Sequence, residues 1–125
     1  MQLIAVAKRH SAEAIRAAHA AGQRIFGESY AQELEAKAAE LGDLDLEWRF
    51  IGHLQRNKAK YVVDGVSLVE TVDSLRLLRE LDKRAAARGI TVDLLLQVKI
   101  GGEESKSGCS PADLPELFDA ARSAA

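Results

Sequence analysis

A disulfide framework within the chain is impossible, because Cys109 is its one cysteine. That thiol lies in a polar, glycine-rich stretch, with nothing beside it to suggest a paired base. Aromatic residues are only 5% of the sequence, so stacking platforms for nucleobases are scarce. A basic excess is also missing: 17 Lys and Arg stand against 19 Asp and Glu, a formal net charge of −2. A surface that tracks phosphates needs such an excess, which argues against nucleic acid as the main partner. No apolar run approaches the ~20 residues of a membrane span, so no membrane partner is expected. The start is strand-like and lacks the charged and apolar regions of a signal peptide, which makes a soluble, cytoplasmic protein the expectation. No His, Cys and Glu spacing resembles a zinc site, and no Ser, His and Asp follow a triad order.

What the chain does have is alternation. Its 125 residues suffice for one domain, taken as residues 1–125. Leu3–Ala7 reads as a fully buried strand, followed by a helix over Ser11–Ala21 with Ser11 as N-cap and Gly22 as stop. Arg24–Glu28, Leu46–Gly52, Leu68–Val72 and Val92–Ile100 read as further strands, the last the longest. The helices between them fall at Tyr30–Leu41, Gln55–Val63 and Ser74–Arg88, with Gly42 and Gly89 closing the first and third. A final helix runs over Pro111–Ala124, with Pro111 in its first turn. Strands apolar on both faces, each followed by a helix, imply a parallel sheet with right-handed crossovers. The fold class is therefore α/β, either an open doubly wound sheet or part of a (β/α)₈ barrel. No glycine-rich phosphate fingerprint follows the first strand, where Ala7-Lys8-Arg9-His10 stands instead, and this weakens the dinucleotide-binding alternative.

Lys8 is the residue of greatest interest. It ends an apolar strand, at the end of a parallel strand where chemistry collects. An apolar wall on one side would make its charge costly and its pKa fall, and a neutral amine attacks carbonyls to form a Schiff base. The other carboxyl ends bring Gly27-Glu28-Ser29, Gly52-His53, Thr71 with Asp73, and Lys99-Ile100-Gly101 to the same rim. An amine, a carboxylate, a hydroxyl and an imidazole facing one centre would make a small-molecule site. Each has a plainer alternative. Glu28 would favour the next helix through its dipole, Ser29 would be that helix's N-cap, and His53 would bond backbone in a turn. Asp73-Ser74 suits the cap of the fourth helix, and Arg56-Asn57-Lys58-Ala59-Lys60 reads as a solvated helix face.

Four segments occur together in order: Ala5-Val6-Ala7-Lys8; Phe26-Gly27-Glu28-Ser29-Tyr30-Ala31-Gln32-Glu33; Trp48 through Lys58, containing IGHLQRNK; and Glu104-Ser105-Lys106-Ser107-Gly108. Over nearly its whole length the chain resembles the pyridoxal-phosphate homeostasis protein family. The resemblance implies a TIM-type (β/α)₈ barrel similar to the N-terminal domain of alanine racemase. It also implies a role in binding, buffering or delivering pyridoxal 5′-phosphate (PLP) rather than catalytic turnover. Lys8 matches the lysine that carries the cofactor as a Schiff base, and cofactor contacts are implied at Val6, Ser29, Gly52, His53 and Asn57. Ser29 stands where the family usually has Asn, a shorter side chain with a single donor. Lys106 matches a loop lysine implied as a secondary contact.

About five of the eight βα units of the family barrel are present, and the strands that build its phosphate cradle are not among them. Weaker PLP binding than in a full-length member is the expectation. Open strand edges and an uncovered apolar face should also drive self-association. Two other readings stay open: a PLP-dependent racemase-like enzyme, which needs an acid or base opposite Lys8 that the sequence does not offer, and a half-barrel fragment that binds no cofactor.

Overall fold

The computed structural model describes residues 3–100 and 108–123. Along the chain come β1 (Ala5–Val6), α1 (Ala12–Ala20), β2 (Ile25–Glu28), α2 (Ala31–Glu40) and β3 (Glu47–Phe50). A 3₁₀ turn over Arg56–Lys58 then runs into α3 (Ala59–Val62), followed by β4 (Leu68–Val72), α4 (Leu75–Arg88), β5 (Asp93–Leu96) and α5 (Leu114–Ser123). All pairings are parallel, and the strands lie in the order β1-β2-β3-β4-β5. A doubly wound sheet reverses its order at a switch point and is covered on both faces. Here the order never reverses, which is the winding of a barrel.

Strand alternation separates the two faces. Phe26, Trp48, Phe50 and Val69 are buried against Ile15, Leu34, Leu77, Leu81 and Leu117 of the helices. The register row Val6–Gly27–Arg49–Leu68–Asp93 lies on the opposite, inner face. That face is mixed: Ile4 and Ile51 lie over Gly27, Arg49 Nε meets Glu47 Oε2 at 3.0 Å, and Val6 and Leu95 are half exposed.

Helix starts follow local hydrogen-bond chemistry. Ser11 Oγ accepts from Ala14 N, and Ser74 Oγ accepts from Leu77 N at 3.1 Å. Gly89 closes α4 in the left-handed region at φ 67°, and its N–H bonds back into the last turn. Ser74→Ala should lower stability by about 1 kcal/mol, read as a shift in urea midpoint at constant slope.

Two strands differ from expectation. Leu3–Ala7 is not fully buried: only Ala5–Val6 is ladder-paired, and Leu3 is 73% exposed. Val92–Ile100 is not the longest strand; β5 has four residues and β4 five. Both are edge strands, with a neighbour on one side only among the described residues. Beyond Leu96, Gln97 still donates to Val72 O, and Val98 then pairs with Cys109. Burial holds the Cys109 thiol above its ordinary pKa, which marks it as structural.

Candidate functional site

Lys8 sits in the turn that leaves β1, and the residue before it is held from three directions. Ala7 N donates to Gly27 O of β2 at 2.8 Å, and Ala7 O accepts from His10 N at 3.0 Å. Ala7 O also accepts from Lys37 Nζ at 2.6 Å. The turn places Arg9 at φ 62°, and Arg9 N donates to Glu33 Oε1. Lys8 itself is exposed, so the apolar wall expected beside its amine is not built by the described residues.

Lys37 is the centre of this support. Besides Ala7 O, its ammonium meets Glu28 Oε2 at 2.9 Å and Glu33 Oε1 at 2.6 Å. Burial pulls its pKa down, and the bonds to Glu33 and Glu28 outweigh that, so the ammonium stands above its ordinary value. The hydrogen bond from Lys37 holds Glu33 below the usual carboxylate range, against its own desolvation. Glu28 is fully buried and shares the helix-facing side of β2 with Phe26. It therefore does not join the rim as the carboxylate of a small-molecule site. Its Oε1 accepts from Ser29 N instead. Ser29 is likewise not the N-cap of α2: Tyr30 holds that position without a side-chain bond.

The carboxyl ends of β2, β3 and β4 are knitted at Gly52. Ile51 N donates to Glu28 O, and Thr71 Oγ1 donates to Gly52 O. The backbone of Ser29 comes so close that a Cβ at Gly52 would lie 2.2 Å from Ser29 O. Ser29 and His53 thereby face one cleft of about 280 Å³, shared with Tyr30, Gln55 and Lys58. Asp73 Oδ2 lies 3.9 Å from His53 Nδ1 and accepts from Gly108 N. Val6 lies on the inner face, one residue before the pinned Ala7. Asn57 does not line the Ser29–His53 cleft; it lies on a second groove with Arg56 and Lys60. Lys106 and Gly101 fall outside the described residues.

Sequence reasoning missed the role of Lys37. The signal was there, since Glu33 and Lys37 are spaced i, i+4 with the acid first, the favourable order on a helix. What the spacing could not show is that α2 folds this pair onto Glu28 and the end of β1. Two further polar atoms, Glu70 Oε2 and Gln97 Oε1, are buried without a hydrogen bond among the described residues. Glu70 alternates with Val69 and so belongs to the inner face. Among the described residues no group of His, Cys, Asp and Glu could hold a metal ion, and no helix is long and apolar enough to cross a membrane.

The family described as "Alanine racemase, N-terminal domain" matches residues 1–125. The pyridoxal phosphate homeostasis protein of Pseudomonas aeruginosa is 46% identical over 120 residues, 96% of this chain and 52% of the relative. That of Aquifex aeolicus is 42% identical over 118 residues, again 52% of the relative. The chain thus spans about half the length of these curated relatives. Among solved structures, PipY of Synechococcus elongatus PCC7942 without PLP superposes with a TM-score of 0.91 at 48% identity, over 98% of this chain and 58% of that one. The same protein with PLP bound gives 0.85, over 94% and 56%.

Proposed function

Because the chain belongs to the alanine racemase N-terminal domain family, we propose that it binds pyridoxal 5′-phosphate through Lys8, as a carrier or regulator of the cofactor and not as an enzyme of amino-acid turnover. The observation that carries this reading is the placement of Lys8: an exposed primary amine in a turn whose backbone is pinned by β2, Glu33 and Lys37. When bound, PLP supplies an aldehyde that condenses reversibly with a primary amine. The residues present fit the aldehyde and ring end of such a group. Lys8 offers the amine at the carboxyl end of β1, Ser29 and His53 line a cleft at the carboxyl ends of β2 and β3, and Glu70 Oε2 and Gln97 Oε1 are buried polar atoms without a hydrogen bond among the described residues.

Each residue has a part that its surroundings support. Ser29, released from capping, can donate through its hydroxyl. His53 has a carboxylate beside its ring, with Asp73 Oδ2 3.9 Å from Nδ1. Gly52 brings β2 and β3 together, so that Ser29 and His53 share one cleft. Val6 presents a half-exposed apolar surface on the inner face of β1, while Asn57 lies apart from the cleft, in the 3₁₀ turn before α3. An enzyme in the racemase manner would need a second acid or base opposite Lys8.

The test is chemical. The chain is incubated with PLP, reduced with borohydride and digested, and the modified peptide is identified by mass spectrometry. The expected result is a dominant adduct on the peptide that holds Lys8, absent from Lys8→Ala. Adducts spread evenly over surface lysines and unchanged in Lys8→Ala would overturn the assignment. Alanine racemisation by the loaded chain should stay at the buffer rate.

A further inference from the structure

A groove on the helical side of the molecule gathers cations that the cofactor reading does not use. Arg56, Asn57 and Lys60 form one wall, and Arg76, Arg79 and Lys83 of α4 form the other, around a volume of about 590 Å³. The residues from α4 lie at i, i+3 and i+7, so they share one helix face over about 10 Å. Lys83 is four residues from Arg79 on α4, a spacing at which like charges destabilise a helix. The one carboxylate lining the groove, Glu80, sits 3.7 Å from Arg84 of its own helix.

Three surface arginines elsewhere are matched across elements: Arg16 with Asp43 at 2.8 Å, Arg24 with Asp45, and Arg88 with Asp64 at 3.2 Å. Among the described residues no carboxylate is ion-paired with Arg56, Arg76, Arg79 or Lys83. In a chain of net charge −2, this is a concentration of positive charge that folding alone does not reward. No apolar or aromatic residue lines the groove, whose apolar surface is that of the Arg and Lys stems. A protein partner would find no apolar anchor there, and nucleobases would find no ring to stack on. The volume falls within the range of small-molecule sites. Planar guanidinium forks suit phosphoryl oxygens, which they can bind in pairs.

We propose that this groove binds a small anion built of linked phosphoryl groups, whether free or as the tail of a nucleotide. Recognition is of the charge chain, with the arginines as forks, the lysines as point charges and Asn57 as a neutral donor.

Calorimetric titration of the chain at low salt tests this with tripolyphosphate, ATP, orthophosphate and a hexaglutamate peptide as probes. Tripolyphosphate should bind saturably, at least about tenfold more tightly than orthophosphate or the peptide, and more weakly as salt rises. Equal affinity for ATP and tripolyphosphate would assign recognition to the phosphate chain, and tighter ATP binding would add a nucleotide contribution; both support the site. Arg76→Gln combined with Arg79→Gln should weaken tripolyphosphate at least about tenfold, while Arg16→Gln should not change it. The double variant removes exposed like charges, so its urea midpoint should not fall, and this confirms that it is folded. No saturable binding, equal binding of the peptide, or the same loss in Arg16→Gln would overturn the proposal.

Discussion

Lys37→Met should cost the fold about 3–5 kcal/mol, the loss expected when one member of a buried ion pair is removed and the other stays. Glu28 has no solvent exposure and would be left with only the Ser29 N–H as a partner. Ala7 O would lose its shortest donor at the same time. Urea unfolding reads the effect as a lower midpoint at constant slope, and a change under about 1 kcal/mol would contradict it. Adding Glu28→Gln to Lys37→Met removes the stranded charge and should restore part of the loss. The same network sets a pH window. Glu33 has a lowered pKa, so its contribution is present above its ordinary value of 4.5 and fades as acid takes the pH through the folded value. Lys37 has a raised pKa, so its contribution is whole below its ordinary value of 10.5 and is lost only as alkali passes the folded value. Stability should therefore fall at both extremes, and Lys37→Met should flatten both limbs.

Gly52→Ala should be the most damaging small substitution at the rim. The added methyl carbon would lie 2.2 Å from Ser29 O and 2.7 Å from Ser29 Cα, and both of these are backbone atoms. A side chain could swing away; a strand end held by Ile51 N bonding Glu28 O cannot. The strands must part, at a cost of about 3 kcal/mol, the upper end of the range for overpacking. Opening that seam also separates Ser29 from His53, so PLP labelling at Lys8 should fall with stability. Gly65→Ala is the matched control. Nothing lies within 4 Å of its added carbon, and the change should be neutral or stabilise by up to about 1 kcal/mol through the unfolded chain. Equal effects at the two glycines would remove the steric argument.

The parts of the fold set by local chemistry were legible in the sequence. Ser11, Ser74 and Gly89 mark helix ends because their bonds are made within a turn of the chain. The parallel α/β class followed from apolar strands alternating with helices, and the monotonic order of the sheet then selected the barrel winding. Less legible was anything decided by neighbours distant in sequence. β1 and β5 are shorter than their apolar runs because an edge strand has one partner. Glu28 lay at the right place in the chain to join the rim, yet strand alternation turned it to the helix side, where only Lys37 explains how a carboxylate can be buried. In the run Arg56–Lys60, Arg56, Asn57 and Lys60 are exposed but Lys58 is half-buried and Ala59 buried, and the row on α4 that faces the exposed three across a groove is visible only in three dimensions.

The unbroken strand order bears on how the chain acquires its shape during synthesis. Each strand pairs with the one made just before it, so no unit must wait for a distant partner before docking, and contacts stay local. The turn around Lys8 lacks its clamp until Lys37 is made, because the Ala7–Lys37 bond spans 30 residues. At about 5–20 residues per second that interval is roughly 2–6 s. During it the nascent amine is presented on an unclamped strand, and the emergence of α2 is the event that fixes its direction.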